Sequence, residues 1–144
     1  MKLLFTAILL FPVVGFGQAN RPLVVASDSM PTYVNDPGNI GMTVLLDQTA
    51  VGSTVGLSLG TFLPGANIAE HVHQGAAEIL YILSGEIELV IGGRTVTARE
   101  GSAVYVPPDV PHSARVRNAI EPARVVQVYS PGGAEQRFKA WRRE

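Results

Sequence analysis

The residues of this chain best suited to chemistry are its three histidines and a nearby glutamate. His71 and His73 are two positions apart, so in a β-strand both imidazoles project from the same face. Glu78 lies five positions further on, beyond a small and flexible segment, residues 74–77, that can turn the chain. The spacing predicts that Glu78, at the start of the next strand, lies beside the two imidazoles.

The third histidine, His112, follows a proline-rich turn, residues 107–111. A barrel can bring such remote positions together on its interior. Neutral imidazole is the commonest metal ligand in proteins, and one carboxylate offsets part of the charge of a cation. His71, His73, Glu78 and His112 are thus candidate ligands for one divalent ion, with iron, manganese, zinc, copper and nickel all open. The alternative is that these are surface histidines, or core histidines whose hydrogen bonds are satisfied.

Two further polar residues are candidates for contact with a substrate. Gln127 shares one strand face with Val125 and Tyr129, and its amide could bond a substrate or a metal-bound water. Tyr105, on the strand before the proline-rich turn, could do the same. The alternative for each is a core or rim position, because tyrosine is often half-buried with its hydroxyl satisfied.

The elements that must position these residues are short β-like runs. From Met42 onward they follow one another at even spacing between turn signals, among them the hairpin pair Gly92–Gly93. This pattern predicts an all-β antiparallel sandwich or closed barrel over residues 42–130. Residues 20–41, rich in Pro, Asp, Asn and Gly, are expected to form an N-terminal arm. Residues 131–144 are expected to form a tail with one short helix, over 134–143, whose Phe138 and Trp141 pack on the barrel.

The N-terminus predicts an export signal over residues 1–19. Lys2 precedes an almost wholly apolar run, residues 3–16, and small residues follow it, with cleavage expected after Gly17 or Ala19. The run is short for a membrane span, although an uncleaved anchor is the alternative. We therefore expect a periplasmic or secreted protein that does not associate with a membrane after cleavage.

The amino-acid composition limits which ligands and partners the chain can have. The chain has no cysteine, so it forms no disulfide and offers no thiolate ligand or nucleophile. The formal net charge is −1, and basic residues cluster only around Arg142 and Arg143. Nucleic acid is therefore not an expected partner, because phosphate binding needs several clustered cations.

The spacing of these residues resembles the two sequence motifs of the cupin family. The first motif comprises Gly65, His71, His73, Glu78 and Gly85. Five residues separate Gly65 from His71, four separate His73 from Glu78, and six separate Glu78 from Gly85. The second comprises Gly101, Pro107 and His112. Asp109 stands where the family usually has glycine, and Val116 where it often has asparagine. Aspartate can adopt the left-handed backbone that glycine would supply.

The resemblance, which covers about residues 55–129, implies a jelly-roll-like double-stranded β-helix and the four ligands named above. It also implies a homodimer, formed through the barrel face or by exchange of a strand from residues 20–39. Cupins include dioxygenases, decarboxylases, isomerases and lyases, and a shared barrel does not choose among them. We expect a metal-dependent enzyme that acts on a small organic substrate, because the four ligands leave open positions on an octahedral ion. The alternatives are a non-catalytic metal- or small-ligand-binding module and a structural or storage cupin.

Overall fold

The computed structural model describes residues 23–144, so the predicted export signal lies outside the described residues. The strands are, in chain order, β1 (Thr32–Val34), β2 (Ile40–Leu46), β3 (Gly56–Phe62), β4 (Asn67–His71), β5 (Ala77–Ser84), β6 (Glu86–Ile91), β7 (Arg94–Arg99), β8 (Ala103–Val106), β9 (His112–Arg115), β10 (Ala123–Ser130) and β11 (Arg142–Arg143). The helical elements are α1 (Gln48–Val51) and three 3-10 helices, Ser27–Ser29, Gly52–Thr54 and Ala134–Ala140. None of these helices is long and apolar enough to cross a membrane.

The strands form two antiparallel sheets that face one another. The larger has seven strands in the order β11-β1-β2-β3-β10-β5-β8, and the smaller has four in the order β4-β9-β6-β7. All strand pairs between neighbours in these sheets are antiparallel. The predicted all-β, jelly-roll-like fold is confirmed.

The core lies between the two sheets and is filled by alternate residues of the strands. On β5 the buried positions are Glu78, Leu80 and Ile82, while the residues between them are exposed. On β10 the buried positions are Val125, Gln127 and Tyr129, as their shared strand face indicates. Because side chains alternate across a strand, one register buries both apolar residues and the polar residues of the site.

Two turns fix the start and end of β6. Gly92 and Gly93, with φ of +53° and +78°, form the predicted hairpin turn to β7, since this turn type needs left-handed backbone at both positions. Gly85 separates β5 from β6 with φ of +78°, and a Cβ there would lie 2.6 Å from the carbonyl oxygen of Pro122. Both the backbone conformation and this close approach require glycine at position 85.

Part of the predicted arm belongs to the larger sheet. β1 pairs with β2 of its own chain and, on its other edge, with β11, where Tyr33 is opposite Arg143. β2 itself begins at Ile40, two residues before the predicted start of the barrel.

The tail contains a 3-10 helix in place of the longer helix predicted over 134–143. It ends at Ala140, and Arg142 and Arg143 form β11. A 3-10 helix has about three residues per turn, so Phe138 and Trp141 lie on one side. Their rings are 5.1 Å apart, and Phe138, which is 2% exposed, lies in the core. The predicted packing of these two residues on the barrel is confirmed.

Two polar contacts on either side of Phe138 fix the tail to the barrel. Glu135 is fully buried, and its carboxylate accepts hydrogen bonds from the backbone N–H groups of Gly133, at 2.7 Å, and Gln48, at 3.4 Å. The ammonium group of Lys139 is paired with the carboxylate of Asp47. Burial acts to raise the pKa of Asp47, but its bonds to Lys139 and to the first turn of α1 outweigh burial and hold it well below its usual value.

Candidate metal centre

The four candidate ligands lie on three different strands and one loop. His71 is the last residue of β4, His112 is the first residue of β9, and the two are opposite one another in the smaller sheet. Glu78 is the second residue of β5 in the larger sheet. His73 lies in the loop after β4 and not on one strand with His71 as their spacing predicts, because β4 ends at His71.

The structure brings these four side chains together in the interior. One ligand atom from each of His71, His73, Glu78 and His112 lies within 4.8 Å of the others. The imidazole centroids are 4.3 to 5.0 Å apart. Three of the four side chains are buried, and His71 is half-buried.

Backbone hydrogen bonds orient two of the imidazoles. Nδ1 of His71 lies 2.9 Å from the carbonyl oxygen of Ala69, and Nδ1 of His112 lies 2.8 Å from that of Val110. A carbonyl accepts only, so each Nδ1 is the donor, and the neutral ring then carries its lone pair on Nε2. With the rings neutral, both Nε2 atoms present a lone pair to the centre of the group, and Nε2 of His112 donates to Glu78 when that ring is protonated.

The polar atoms at the centre fit a cation. Nε2 of His71 and Nε2 of His73 are buried and have no hydrogen-bond partner among the described residues. Nε2 of His73 lies 3.2 Å from Glu78 Oε2, but without hydrogen-bond geometry. Buried polar atoms without a partner cost free energy, and convergent imidazole lone pairs beside a carboxylate are the donor set that divalent transition metals prefer. Cupin-type ligation by His71, His73, Glu78 and His112 is thus compatible with the geometry.

The charges within the group shift the pKa values of its members. Burial acts to raise the pKa of Glu78, but the hydrogen bonds from His112 and Gln127 and the neighbouring imidazole of His73 outweigh burial and hold it well below its usual value. Burial acts to lower the pKa of His112, yet the Glu78 carboxylate raises it overall. For His71, burial and the positive charges around it, including Arg137, lower the pKa. The carboxylate is therefore ionised and available to a metal at neutral pH.

Of the two other candidates, only Gln127 reaches the group. Its side chain is 5% exposed, and its amide nitrogen donates to Oε1 of Glu78. It therefore orients the carboxylate. Tyr105 is 60% exposed and pairs with Ile79 on the outer face of the larger sheet. The prediction that Tyr105 contacts a substrate at this group is corrected, because in its register Val104 and Val106 are the inward residues of β8.

Two features of the site were not found from the sequence. Asp109 has the left-handed backbone expected of it, with φ of +62°, but it also links two loops. Its N–H donates to the carbonyl oxygen of His73 at 3.2 Å, and its carboxylate accepts from the N–H of Gly75 at 3.0 Å. It thereby joins the loop before His112 to the loop that carries His73. The second feature is Arg137, for which the sequence held no signal.

A cavity of about 570 Å³ lies beside the four side chains. Its walls are mostly apolar, as the alternation of the strands predicts, and they include Leu80 and Ala114 together with the tail residues Phe138 and Trp141. The charged residues that line it are Asp36, Glu70, Glu78 and Arg137. A cavity of this size and lining is typical of sites for small organic molecules.

The fold and this group of side chains define the class of the protein. Residues 58–129 match the family model described as "Cupin domain". The chain is 31% identical over 104 residues to "Protein SchB" from Streptomyces halstedii, a match that covers 72% of this chain and 73% of that protein. The chain therefore belongs to the cupin family.

A second relative is "Polyketide synthase CurC" from Streptomyces cyaneus. It is 35% identical over 92 residues, which cover 62% of this chain and 58% of that protein. The match thus spans less than two thirds of the length of CurC.

Solved structures share the fold. A predicted oxalate decarboxylase from Thermotoga maritima superposes with a TM-score of 0.68 at 23% identity, covering 76% of this chain and 99% of that one. KdgF from Halomonas sp. superposes with a TM-score of 0.69 at 20% identity, covering 81% of this chain and 99% of that one.

Proposed function

We propose that this protein is an exported cupin that holds one divalent metal ion through His71, His73, Glu78 and His112 and acts on a small organic substrate. The observation that carries the proposal is the set of buried lone pairs at one point. Nε2 of His71 and Nε2 of His73 have no hydrogen-bond partner among the described residues, and Nε2 of His112 faces the Glu78 carboxylate. An ion bound there would partner all of them.

The chain's own residues suit such a reaction. A bound divalent ion would polarise a substrate oxygen or, if it is redox-active, support oxygen chemistry. Gln127 fixes one oxygen of Glu78, which leaves the other free to face the ion. The apolar walls, among them Leu80 and Leu89, keep water from the carbon skeleton of a bound molecule.

The relatives support a small organic substrate without choosing the reaction. One is named a polyketide synthase and one solved neighbour is described as a predicted oxalate decarboxylase. Because a shared fold does not fix the chemistry, dioxygenase, decarboxylase, isomerase and lyase activities are all proposed classes.

A second candidate function is a metal- or ligand-binding module without turnover. It is favoured by the cavity lining, in which the charged side chains other than the candidate ligands, Asp36, Glu70 and Arg137, are all exposed. Such a module would take up the metal and bind small molecules but leave them unchanged.

Metal content tests the metal site, which the enzyme and the binding module both require. Protein purified from the periplasm or medium and then loaded with iron, manganese, zinc, copper or nickel is expected to hold about one ion per chain by mass spectrometry of the elements. Glu78→Gln should lower the affinity for the ion, because it removes the one anionic ligand. The matched control is Glu86→Gln, on the next strand, which removes only an exposed pair with Arg99. Equal affinity in the two variants would contradict the proposal.

Turnover separates the enzyme from the binding module. Each loaded form is screened for oxygen uptake and for loss of small organic acids, sugars and phenols. Turnover that is lost in Glu78→Gln supports the enzyme, whereas metal binding without turnover across all forms supports the module.

We also propose export and cleavage within residues 1–19. The full chain is expected outside the cytoplasm with the mass of a product cut after Gly17 or Ala19. A chain that lacks residues 1–19 should stay in the cytoplasm. Full-length mass in the cytoplasmic fraction would contradict this proposal.

A homodimer through the outer face of the larger sheet is a further proposal. This face exposes several large apolar side chains, among them Ile79, Tyr81, Leu83 and Tyr105, which is more than scattered surface residues usually provide. Light scattering should give the mass of two chains for the wild type and of one chain for Tyr81→Glu. Thr97→Glu, on the exposed strand β7 of the other sheet, is the control. A wild-type mass of one chain would contradict the proposal.

A further inference from the structure

Arg137 lines the same cavity as His71, Glu78 and His112. Within residues 23–144 it is the only lysine or arginine that does so. It belongs to the tail, beyond the residues 58–129 that match the family model. This cation is therefore a feature of this chain rather than of the shared motifs.

One aromatic ring separates the Arg137 guanidinium from the metal-binding group. Its Nη2 donates a hydrogen bond to the hydroxyl of Tyr129 at 3.0 Å, and its Cζ lies 4.9 Å from the ring centroid of Phe138. The ring of Tyr129 meets the ring of His73 edge-on, with centroids 4.8 Å apart. Arg137 thus lies beside the group without being able to act as a ligand, since guanidinium has no lone pair to offer.

The charge of Arg137 is not paired with a carboxylate of the described residues. Most basic side chains of the described residues are paired with carboxylates, namely Arg99, Arg115, Arg117, Lys139 and Arg142. Arg137 has no carboxylate oxygen within 4.0 Å among residues 23–144. A single bond to a neutral hydroxyl leaves most of its N–H donors free for a planar anion.

The backbone that carries Arg137 is held on both sides. Glu135, two residues earlier, is fully buried against the backbone of Gly133, and Phe138, the next residue, lies in the core. Lys139 is tied to Asp47. The backbone that carries Arg137 is therefore fixed, so binding of a substrate group has to order the side chain alone.

A bound divalent ion and Glu78 together would leave a net positive charge at the inner end of the cavity, and Arg137 adds a positive charge near it. Arg137 is exposed, as are Asp36 and Glu70, the other two charged lining residues, so water screens these three charges alike. What distinguishes Arg137 is its position beside the metal-binding group, against Tyr129 and Phe138.

We propose that Arg137 binds the carboxylate of a small organic acid whose other end is held at the metal. The apolar walls of the cavity would enclose the carbon chain between these two ends. Guanidinium recognises a carboxylate through two parallel N–H···O bonds, which gives it selectivity over a neutral amide of the same shape. The inference rests on the proposed function, because it needs the ion to anchor the first end.

Matched pairs of metal-anchored probes test the inference. The probes are the monohydroxamates of succinic, glutaric and adipic acid, each compared with the same hydroxamate whose free carboxylate is replaced by a carboxamide. The hydroxamate binds the ion, and the chain lengths sample the distance to Arg137. Binding to the zinc-loaded protein is read by calorimetry and by the fluorescence of Trp141, which lines the cavity and is the only tryptophan of the chain.

At one of these lengths the wild type is expected to bind the carboxylate roughly ten- to a hundredfold more tightly than the carboxamide. Arg137→Met should abolish this preference, and Arg137→Lys should keep part of it. Arg124→Met is the matched control, since Arg124 is exposed on β10 and does not line the cavity; it should leave the preference intact.

The outcomes separate this inference from the proposed function. If zinc and the hydroxamates bind but the wild type shows no preference at any length, or if Arg137→Met retains it, the inference is overturned and the metal site stands. If the wild type takes up no metal, the proposed function fails, and the inference fails with it. Circular dichroism of each variant shows whether its fold is retained.

Discussion

Nε2 of His112 lies 2.9 Å from Oε2 of Glu78, while the other nitrogen of the same ring donates to the carbonyl oxygen of Val110. A neutral imidazole held in this way turns its lone pair towards a carboxylate oxygen, and two lone pairs at that distance repel. The contact is stable when a cation lies between the two atoms or near them. In the metal-free protein a proton on His112 is such a cation at pH values below the raised pKa of this ring, and in the loaded protein we expect the cation to be the metal.

This relationship has a measurable consequence for protons. In the metal-free protein the pKa of His112 is expected above its ordinary value of 6.5, because Glu78 favours the charged ring, and that of His71 below 6.5, because burial disfavours it. NMR titration of the imidazole resonances measures both. A pKa of His112 below 6.5 together with a pKa of His71 above 6.5 would contradict the geometry.

The free energy of unfolding of the metal-free protein should depend on pH in the direction that the raised pKa of His112 dictates. A raised pKa means that the folded state binds the His112 proton more tightly than the unfolded state does. The contribution of His112 is therefore fully present below about pH 6.5, the unfolded value, and is lost as the pH rises through the folded pKa. Urea denaturation of the metal-free wild type and of His112→Gln, at several pH values, should show a gap that narrows with rising pH. Metal binding should strengthen over the same range, because the ion displaces this proton.

Gln127 should tune the affinity for the metal without being a ligand. Gln127→Leu removes the hydrogen bond that orients Glu78, and loss of such a bond to a metal ligand typically lowers affinity about 10- to 100-fold. Competition with a chelator measures the change, and about one ion per chain should still bind at saturation. Gln48→Leu, at an exposed position, is the control. Unchanged affinity in Gln127→Leu would show that the bond does not orient the carboxylate.

Asp109 should stabilise the loops on either side of the site. Asp109→Ala removes the bond to Gly75 and places alanine at φ of +62°, so it should lower the free energy of unfolding by about 2 kcal/mol. Asp109→Asn, which tolerates this backbone and can still accept the bond, should lose much less. Asp109→Gly should fall between them. Urea denaturation measures all three, and an alanine variant as stable as the wild type would contradict this role.

Gly56 should be needed for the tail to dock. A Cβ at this position would lie 2.1 Å from Oε2 of the buried Glu135, so Gly56→Ala must displace that carboxylate from Gly133. We expect a loss of about 1–3 kcal/mol in the free energy of unfolding, as for other overpacked interiors. Gly41→Ala, on the neighbouring strand, is the control, because its Cβ would lie 3.3 Å from a methyl group of Thr32. Equal stability of the two variants would contradict the close approach of Glu135 to β3.

Much of the site follows from local rules of the sequence. Strand alternation places Leu80 and Ile82 on the face of Glu78, and Tyr129 on that of Gln127, and the motif spacing brings the histidines to one place. Alternation alone does not say which of two faces is inward on a strand without an anchoring residue. β8 has no such residue, so alternation could not predict its inward face. In the structure Tyr105 lies on the outer face, while Val106 is buried.

The tail shows why the rest needs the three-dimensional structure. Arg137 reaches the cavity only because Glu135 is buried against β3 and α1, far away along the chain. No short-range pattern contains that contact. Phe138 and Trp141, whose rings are 5.1 Å apart, pack on the same side of this segment.

Anomalous diffraction from crystals of the metal-loaded protein, recorded at the absorption edge of the ion, tests the metal site most directly. We expect one strong peak bounded by Nε2 of His71, His73 and His112 and by the carboxylate of Glu78. No peak between these four side chains, or a peak only elsewhere, would contradict it.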